Sequence, residues 1–343
     1  MIEIDGSYGE GGGQILRTAV ALSAFLNTPC RITSIRHGRP KPGLRPQHLA
    51  GVQAVARLCR AEVGGLQINS QEIIFEPKEV TGGELRVDIG TAGAIGLVLQ
   101  SIMLPAIKVP SPLQLAIIGG TDVPWAPTVT YLGEVSIPVL ERMNYRADLA
   151  VVKRGYYPRG GGEVSVELKR GDLSPLQLLD PGEIQMIRGR SHASESLRDR
   201  GVAERQREAA MKVLNTSAFP AEIEVEYGPT QSPGSGIDLW ALGENSVLGS
   251  NALGARGKRA EEVGVEAAAA LLGQIESGAA LDEWMGDQIL PFLAVAEGES
   301  TISIPVATDH LRTNLWVIDH FLPLETHIRE EGKRVVITLK SRE

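Results

Sequence analysis

Apolar residues recur along this chain at two alternating spacings, which predict a repeated succession of strands and helices. A glycine-rich turn, a helix and paired strands follow one another about four times. This order predicts an α/β (α+β) fold of repeated βαββ-type units, with helices packed on sheets. The predicted strands are Ile2–Asp5, Cys30–Ile35, Glu62–Ile68, Glu72–Glu76, Glu84–Ile89, Leu113–Ile118, Tyr145–Lys153, Glu163–Lys169, Ser300–Ile304, Glu325–Arg329 and Arg334–Leu339. The predicted helices are Gln14–Leu26, Gln47–Cys59, Ala92–Leu104, Thr128–Met143 and His310–Phe321.

Residues 184–276 break this order. They combine a charged helix, two strands around a turn rich in proline, glycine and serine, and an alanine-rich helix. Pro181-Gly182 and Ser277-Gly278 flank the segment as linkers do. We therefore expect a small inserted α/β domain over 184–276, within a large discontinuous domain of residues 1–183 and 277–343. The predicted elements of the insertion are Gly201–Leu214, Glu222–Tyr227, Ile237–Leu242 and Lys258–Ile275.

The amino-acid composition narrows the possible classes of protein. Hydrophobic residues make up 43% of the chain but aromatic residues only 4%, so the core is expected to be aliphatic. The formal net charge of −8 argues against a broad, non-specific nucleic-acid binder, although it leaves room for a local basic site. Cys30 and Cys59 lie in apolar contexts typical of buried thiols. The sequence lacks a signal peptide and a membrane-spanning run, so we expect a soluble cytoplasmic protein.

The glycine turn near the start of the chain is a candidate phosphate site. Gly11, Gly12 and Gly13 allow backbone amides to approach a ligand closely, and the helix that follows offers free N–H groups. Glu10 could hold a divalent metal through oxygen, and Arg17 could bind a phosphate with two hydrogen bonds. The alternative is a purely structural junction between strand and helix.

A second candidate is the basic loop from Arg36 to His48. It contains four permanent cations and two histidines in an otherwise acidic protein, and its prolines and glycines keep it irregular. Together with Arg17 these cations could surround polyphosphate or nucleic-acid phosphates. The alternative is a solvated charged loop.

His310 is the candidate nucleophile. Thr308 or Asp309 can cap the helix that begins there, and the positive end of the helix dipole disfavours an imidazolium in its first turn. A neutral imidazole is a usable nucleophile. The alternative is a histidine near a helix cap with no chemical role.

Two further segments carry possible functions. The string from Arg154 to Gly162 is a glycine-rich turn between two strands, and a hairpin connection explains much of it. Trp284 belongs to a helix whose residues Ile289, Leu290, Phe292 and Leu293 are expected to face inward. Its indole could stack on a base, or it could be an ordinary half-buried tryptophan.

Six motifs in sequence resemble those of the RNA 3'-terminal phosphate cyclases. The resemblance runs from about residue 2 to about residue 340, and the insertion contributes no motif to it. The motifs are Glu10-Gly-Gly-Gly-Gln-Ile-Leu-Arg17, Arg36-x-x-Arg39-x-Lys41-Pro-Gly, Gly90-Thr-Ala-Gly93, Gly119-Gly-Thr-Asp122, Arg154-Gly-x-x-Pro-x-Gly-Gly-Gly162 and His310-Leu-x-Thr-Asn314.

This resemblance implies an ATP-dependent nucleotidyltransferase that acts on RNA 3'-phosphate ends. His310 would attack the α-phosphorus of ATP, release pyrophosphate and hold AMP as a phosphoramidate. AMP would pass to the RNA 3'-phosphate, giving RNA(3')pp(5')A. The neighbouring 2'-hydroxyl would then displace AMP and leave a 2',3'-cyclic phosphate, with Mg²⁺ or Mn²⁺ assisting. No protein partner is implied.

The resemblance also assigns residues. Glu10 corresponds to a metal-associated carboxylate, and Arg17, Arg36 and Arg39 would neutralise the phosphates of ATP and RNA. The catalytic set is therefore His310, Arg17, Arg39 and Glu10. The remaining nucleotide-binding assignments are Gln100 on the phosphate side, Pro127 and Trp284 on the two faces of adenine, and Asp287, Gln288, Gln47 and Arg36 elsewhere in the pocket.

Three alternatives stay open from the sequence. The family includes relatives that lack the histidine nucleophile and serve in ribosome assembly. An RNA-end-binding protein without turnover is a second possibility. The fold implied also resembles that of the enolpyruvyl transferases, but that activity gives no reason for the motif at His310.

Overall fold

The computed structural model describes residues 1–341. Its strands are β1 (Ile2–Asp5), β2 (Cys30–Thr33), β3 (Glu62–Gly64), β4 (Ile73–Glu76), β5 (Gly83–Asp88), β6 (Leu113–Gly119), β7 (Ala147–Lys153), β8 (Gly162–Leu168), β9 (Gln177–Leu178), β10 (Ile184–Ser194), β11 (Ala221–Gly228), β12 (Ser235–Gly243), β13 (Val247–Leu253), β14 (Glu299–Ile304), β15 (Leu324–Glu331) and β16 (Arg334–Ser341). Its α-helices are α1 (Gly13–Leu26), α2 (Pro46–Leu58), α3 (Ile95–Met103), α4 (Val129–Tyr131), α5 (Ile137–Glu141), α6 (Val202–Leu214), α7 (Ala260–Glu276), α8 (Glu283–Val295) and α9 (Asp309–Phe321).

Three of the sheets in the described part of the chain share one topology. Their strand orders are β1-β2-β4-β3, β5-β6-β8-β7 and β9-β14-β16-β15. In each sheet the first two strands of the unit are parallel and the remaining pairs are antiparallel. The predicted α/β fold of repeated units is therefore confirmed. The predicted unit was βαββ, with one helical segment. In the structure each unit contains two, because a second helical segment connects its second strand to the final pair of strands.

The helices of the three units share one core. Helix α1 packs against α2, α3 and α9, and α9 also packs against α8. Their contact faces are aliphatic, as the low aromatic content predicts, and include the fully buried Leu22, Leu99 and Ile318. Cys30 and Cys59 are buried free thiols, as expected. Because α1, α3 and α9 come from different units, their meeting point gathers side chains that are distant in sequence.

The segment 184–276 lies between β9 and α8 of the third unit. It forms its own sheet, in the order β11-β10-β12-β13, which α6 and α7 cover. A separate apolar cluster, including Ile187, Leu239 and Leu271, fills the space between them. The division of the chain into two domains stays a prediction.

The structure also differs from the sequence prediction in several elements, among them the short strand β9, which was not predicted. Strands β10 and β13 were not predicted, because polar residues and glycines such as Gly189 and Gly249 interrupt their apolar alternation. The helix predicted over 128–143 is instead α4, a π-helical stretch over Leu132–Ser136, and α5. Pro138 lacks the amide hydrogen that a continuous α-helix needs there, which explains the change of helical pitch. Within residues 1–341, none of the helices has the length and apolar character needed to cross a lipid bilayer.

Candidate active site

A cavity of about 520 Å³ lies where α1, α3, α8 and the start of α9 meet. Seven residues nominated by the sequence line it, namely Arg17, Gln100, Pro127, Trp284, Asp287, Gln288 and His310. Glu10 contacts both Arg39 and the cavity residue His310, so this acidic residue joins the basic loop to the cavity. Arg36 and Gln47 are not among the described residues that line the cavity.

The start of α9 presents His310. Thr308 is the capping residue, since its Oγ1 accepts a hydrogen bond from the Leu311 amide at 3.0 Å. Gln14 of α1 donates a hydrogen bond from Nε2 to the His310 carbonyl at 3.1 Å, which ties the two helix starts together. The His310 side chain is 45% exposed. The imidazole is therefore fixed at its backbone and accessible to a ligand.

Glu10 orients the ring of His310. The Nδ1 atom of His310 lies 3.3 Å from Oε1 of Glu10. A carboxylate at this nitrogen favours the tautomer in which Nδ1 carries the proton, and that tautomer leaves a lone pair on Nε2. A neutral imidazole with a free lone pair on Nε2 is chemically capable of nucleophilic attack, and the catalytic role predicted for His310 stays a prediction.

The glycine turn is held against α9. Tyr8 stacks on Trp316 of α9 with ring centroids 4.1 Å apart and an interplanar angle of 7°. Gly9 has a φ of 55°, and a Cβ there would lie 2.7 Å from Oγ1 of Thr313. Because only glycine fits this close approach without strain, the turn keeps Glu10 next to the histidine helix.

The first turn of α1 is available to an anion. Gly12 occupies the N-cap position without a side-chain hydrogen bond, so side chains do not satisfy the amides as they do at a capped helix. A Cβ on Gly13 would lie 2.3 Å from Nε2 of His48. The glycines therefore allow the close packing of His48 and leave the first-turn amides without a side-chain cap, and an anion at these amides stays a prediction.

Arg17 is a partly buried cation that lines the cavity. Within residues 1–341 its guanidinium makes no hydrogen bond or ion pair with a protein group. Burial lowers the pKa of Arg17 to about 10, so it remains protonated at neutral pH. An unpaired buried cation is costly, and a bound anion would remove that cost.

His48 stays neutral beside this cation. Burial, followed by the charges of Arg17, Arg36 and Arg45, lowers the pKa of His48 to about 3. The Arg45 amide donates to Nδ1 of His48 at 3.2 Å, which leaves the proton on Nε2. His48 therefore adds no positive charge and acts as packing for the start of α1.

The remaining members of the basic loop take different positions. Arg39 donates from Nη2 to Oε2 of Glu10 at 3.0 Å and lies over the glycine turn. Arg36 instead donates to the carbonyls of Lys41 at 2.7 Å and Gly43 at 3.0 Å, so it shapes its own loop. Burial and the neighbouring arginines lower the pKa of Arg36. Its ligand role, like that of every site residue named from the sequence, stays a prediction.

Gln47 supports a neighbouring turn. Its Oε1 accepts a hydrogen bond from the Ala94 amide at 3.1 Å, immediately before α3. The side chain thus holds the glycine turn of residues 90–93 against α2.

Pro127 and Trp284, the two residues predicted to enclose adenine, both line the cavity. The indole of Trp284 meets the ring of Tyr131 edge to face, with centroids 6.2 Å apart. Asp282 caps α8 by accepting hydrogen bonds from the amides of Trp284 and Met285. It also accepts a hydrogen bond from the Tyr131 hydroxyl at 2.6 Å. Burial raises the pKa of Asp282 to about 6.

Asp287 and Gln288 are two polar residues of α8 that line the cavity. Asp287 Oδ1 accepts a hydrogen bond from the Thr308 hydroxyl at 2.7 Å, so it contacts the cap of α9. Burial, and then the charges of Glu283 and Glu10, raise the pKa of Asp287 to about 7. Gln288 Oε1 accepts a hydrogen bond from Ser136 at 3.0 Å. A carboxyl group that titrates near neutral pH inside a cavity is typical of functional sites.

The cavity also includes residues that sequence reasoning missed. Asn251 reaches it from β13 of the insertion. Trp125 stands at its mouth, 97% exposed and with a φ of 61°, a strained backbone for a bulky residue. Asn251 had no detectable signal because its strand was not predicted. The turn before Pro127 was visible in the sequence, but nothing distinguished Trp125 from a core residue.

The segment from Arg154 to Gly162 makes structural contacts with the insertion. Arg154 is 5% exposed, and its Nη1 donates to both carboxylate oxygens of Asp122 at 3.1 Å. Its Nε donates to Glu226 of the insertion at 3.0 Å. Tyr156 bonds to Nδ1 of His192, also in the insertion, at 2.7 Å. The hairpin therefore connects the second unit to the inserted sheet.

The fold and the site define a class of protein. An unpartnered arginine, an uncapped helix start and an accessible imidazole surround a cavity large enough for a nucleotide. In an α/β protein this combination indicates a phosphate-binding site suited to group transfer.

Sequence comparison identifies the family. The sequence model of the family described as "RTC: RNA 3'-terminal phosphate cyclase" matches residues 8–328. The RNA 3'-terminal phosphate cyclase of Methanopyrus kandleri is 48% identical over 349 residues, covering 99% of this chain and 99% of that protein. Its namesake from Pyrococcus furiosus is 46% identical, covering 94% of this chain and 93% of that protein. The chain therefore belongs to the RNA 3'-terminal phosphate cyclase family.

A solved structure gives a weaker match. The enolpyruvyl transferase NikO from Streptomyces tendae has a TM-score of 0.41 and 12% identity, covering 98% of this chain and 47% of that chain. The family assignment rests on the sequence matches.

Proposed function

We propose that this protein converts an RNA 3'-phosphate to a 2',3'-cyclic phosphate at the expense of ATP, through a covalent histidine-AMP intermediate. Family membership supports the overall reaction. The single observation that carries the mechanism is the contact of Glu10 with Nδ1 of His310 at 3.3 Å, beside a cavity that also contains Arg17.

The first step is adenylylation of His310. Nε2 attacks the α-phosphorus of ATP, the bond to the bridging oxygen of the β-phosphate breaks, and pyrophosphate leaves. Glu10 stabilises the proton on Nδ1 as positive charge develops on the ring. Arg17 and the free amides at the start of α1 balance the negative charge on the phosphates.

Glu10 is also the proposed metal-associated residue. Its carboxylate is 39% exposed, and one protein carboxylate together with phosphate oxygens and water is the usual arrangement for Mg²⁺. Bound there, Mg²⁺ or Mn²⁺ would neutralise phosphate charge and polarise the phosphorus. Arg39, which pairs with the other oxygen of Glu10, keeps the carboxylate turned toward the glycine turn.

The next two steps transfer AMP and close the ring. An oxygen of the RNA 3'-phosphate attacks the AMP phosphorus, the P–N bond breaks, and RNA(3')pp(5')A forms. The 2'-hydroxyl then attacks the RNA phosphorus, AMP leaves with the electron pair of the P–O bond, and the hydroxyl proton is lost to solvent. In both steps the proposed role of Arg17 and Arg39 is to balance the phosphate charge.

Labelling with ATP tests this proposal. Incubation with α-labelled ATP and Mg²⁺ or Mn²⁺ is expected to give a protein-AMP adduct that is labile in acid and stable in base. His310→Ala abolishes it, whereas His327→Ala, which removes an exposed histidine on β15, leaves it intact. An RNA-end-binding protein without turnover, or an inactive relative, would give no adduct in the unaltered protein.

A further inference from the structure

We propose that Asn251 reads the nucleobase of the bound nucleotide, so that the inserted segment contributes base selectivity to the site. The inference rests on the proposed ATP site. It gives a chemical role to a segment that carries none of the motifs of the family resemblance. Three observations support it, concerning the direction, the surroundings and the bonding of Asn251.

The direction of the Asn251 side chain follows from the alternation of side chains along β13. Ser250 donates a hydrogen bond to the Ala267 carbonyl of α7 at 2.8 Å, so its side chain faces the helical layer of the insertion. Side chains alternate along a strand, and therefore Gly249 and Asn251 face the other way. A Cβ on Gly249 would lie 2.6 Å from the ring of Tyr131, which places this face of β13 against the wall of the cavity.

The surroundings are those of the predicted adenine slot. Asn251 pairs in register with Asp238 on β12, and Asp238 accepts a hydrogen bond from Thr128, the residue after Pro127. Tyr131 contacts the ring of Trp284 edge to face. Asn251 thus belongs to the part of the cavity wall that lies near both Pro127 and Trp284.

The side chain of Asn251 is free to bind a ligand. Among the amide side chains that line the cavity, Gln14, Gln288 and Asn314 are already hydrogen-bonded to protein groups. Within residues 1–341, the side chains of Gln100 and Asn251 form no hydrogen bond with protein groups. Gln100 belongs to α3, which packs against the helix of Arg17. Asn251 is therefore the unbonded amide on the same face of β13 as Gly249, which packs against Tyr131.

A carboxamide matches adenine in particular. It presents an acceptor and a donor side by side, which complement the N6 amine of adenine and the ring nitrogen next to it. Stacking between Pro127 and Trp284 would hold any base, because every base has a π-face. A directional contact at the base edge would supply the discrimination that stacking lacks.

The test compares ATP with purine riboside triphosphate, which lacks the N6 amine. For each nucleotide one measures the Kd and the rate of adduct formation with the unaltered protein, Asn251→Ala and Asn251→Leu. We expect the unaltered protein to prefer ATP by about tenfold in Kd, the usual effect of one hydrogen bond, and both variants to lose that preference. Gln100→Ala serves as the matched control, because it should weaken both nucleotides equally and preserve their ratio.

Two results would overturn the inference. One is an unaltered protein that binds the two nucleotides equally well, and the other is an Asn251→Ala variant that still prefers ATP. The ratio of the two Kd values is insensitive to a general loss of folded protein, and Asn251→Leu keeps the number and branching of the side-chain heavy atoms while it removes the polar ones. The Kd is measured without turnover, so the two proposals can fail separately. If Asn251 discriminates between the bases but no adduct forms, the proposed function is rejected and the inference about Asn251 is not.

Discussion

The carboxylate of Glu10 lies 3.3 Å from Nδ1 of His310, although the two residues come from opposite ends of the chain. The contact exists because Gly9 fits closely against Thr313 and because Tyr8 stacks on Trp316 of the same helix. It joins the most informative sequence motif, the glycine turn, to the candidate nucleophile. The predictions on activity below depend on this junction.

Glu10→Gln is expected to slow adduct formation by about 10²-fold at saturating ATP, because an amide stabilises the proton on Nδ1 far less than a carboxylate does. The substitution keeps the shape of the side chain, so the melting temperature should change little. Initial rates with labelled ATP measure the effect. Glu3→Gln, at an exposed position of β1, is the control, and an equal loss in both variants would contradict a specific role for Glu10.

Arg17→Met is expected to change stability and binding in opposite directions. Removal of an unpaired, partly buried cation should raise the free energy of unfolding by about 1 kcal/mol. The same change should weaken ATP binding by about 2 kcal/mol, since a charge-assisted phosphate contact is lost. Urea denaturation and calorimetric titration with ATP measure the two effects. If Arg17→Met is destabilised and binds ATP normally, Arg17 serves the fold and not the ligand.

Asp287 predicts a specific dependence of stability on pH. Its pKa of about 7 lies above the ordinary value of 3.8, so between these values the folded protein holds a proton that the unfolded chain has released. The free energy of unfolding therefore falls as the pH rises from 4 to 7 and is level above that range. The asparagine in Asp287→Asn cannot titrate. We therefore expect the decrease in the free energy of unfolding between pH 4 and pH 7 to be smaller in this variant by on the order of 2 kcal/mol. Urea titrations of both proteins at pH 5 and pH 8 test the sign, and identical pH profiles would refute it.

The joint between Arg154 and Asp122 should matter for folding. Both side chains are buried, at 4% and 0% exposure, so Arg154→Met leaves a carboxylate without its counter-charge. A loss of about 3–5 kcal/mol in the free energy of unfolding is expected. The exposed pair of Lys78 and Glu62 gives the comparison, where Lys78→Met should cost less than about 1 kcal/mol. Adding Asp122→Asn to Arg154→Met should recover part of the loss, and strictly additive losses would contradict the pairing.

Much of the architecture could be predicted from hydrophobic spacing alone. Helix α8 buries Ile289, Leu290, Phe292 and Leu293, as their spacing predicts. The strands of the insertion were harder, because β13 buries Gly249 and Ser250 in place of an apolar alternation. Small and polar residues there serve contacts with Tyr131 and α7, which no local pattern reveals.

From the sequence, only those site residues that belong to recognisable motifs could be nominated. The sequence nominated Arg17 and His310, and the structure brings both to one cavity. It could not show that Arg36 bonds to its own loop or that Asn251 enters the cavity from the insertion. The first fact depends on the conformation of an irregular loop, and the second depends on packing between segments that are far apart in the chain.

Transfer from the isolated adduct tests the central claim most directly. The adenylylated protein is separated from ATP and mixed with an RNA that ends in a 3'-phosphate. The proposed mechanism predicts that AMP leaves His310 in an amount equal to the RNA ends converted to 2',3'-cyclic phosphate, while RNA with a 3'-hydroxyl leaves the adduct intact. An adduct that survives the 3'-phosphate RNA, or that maps to a residue other than His310, would contradict the mechanism.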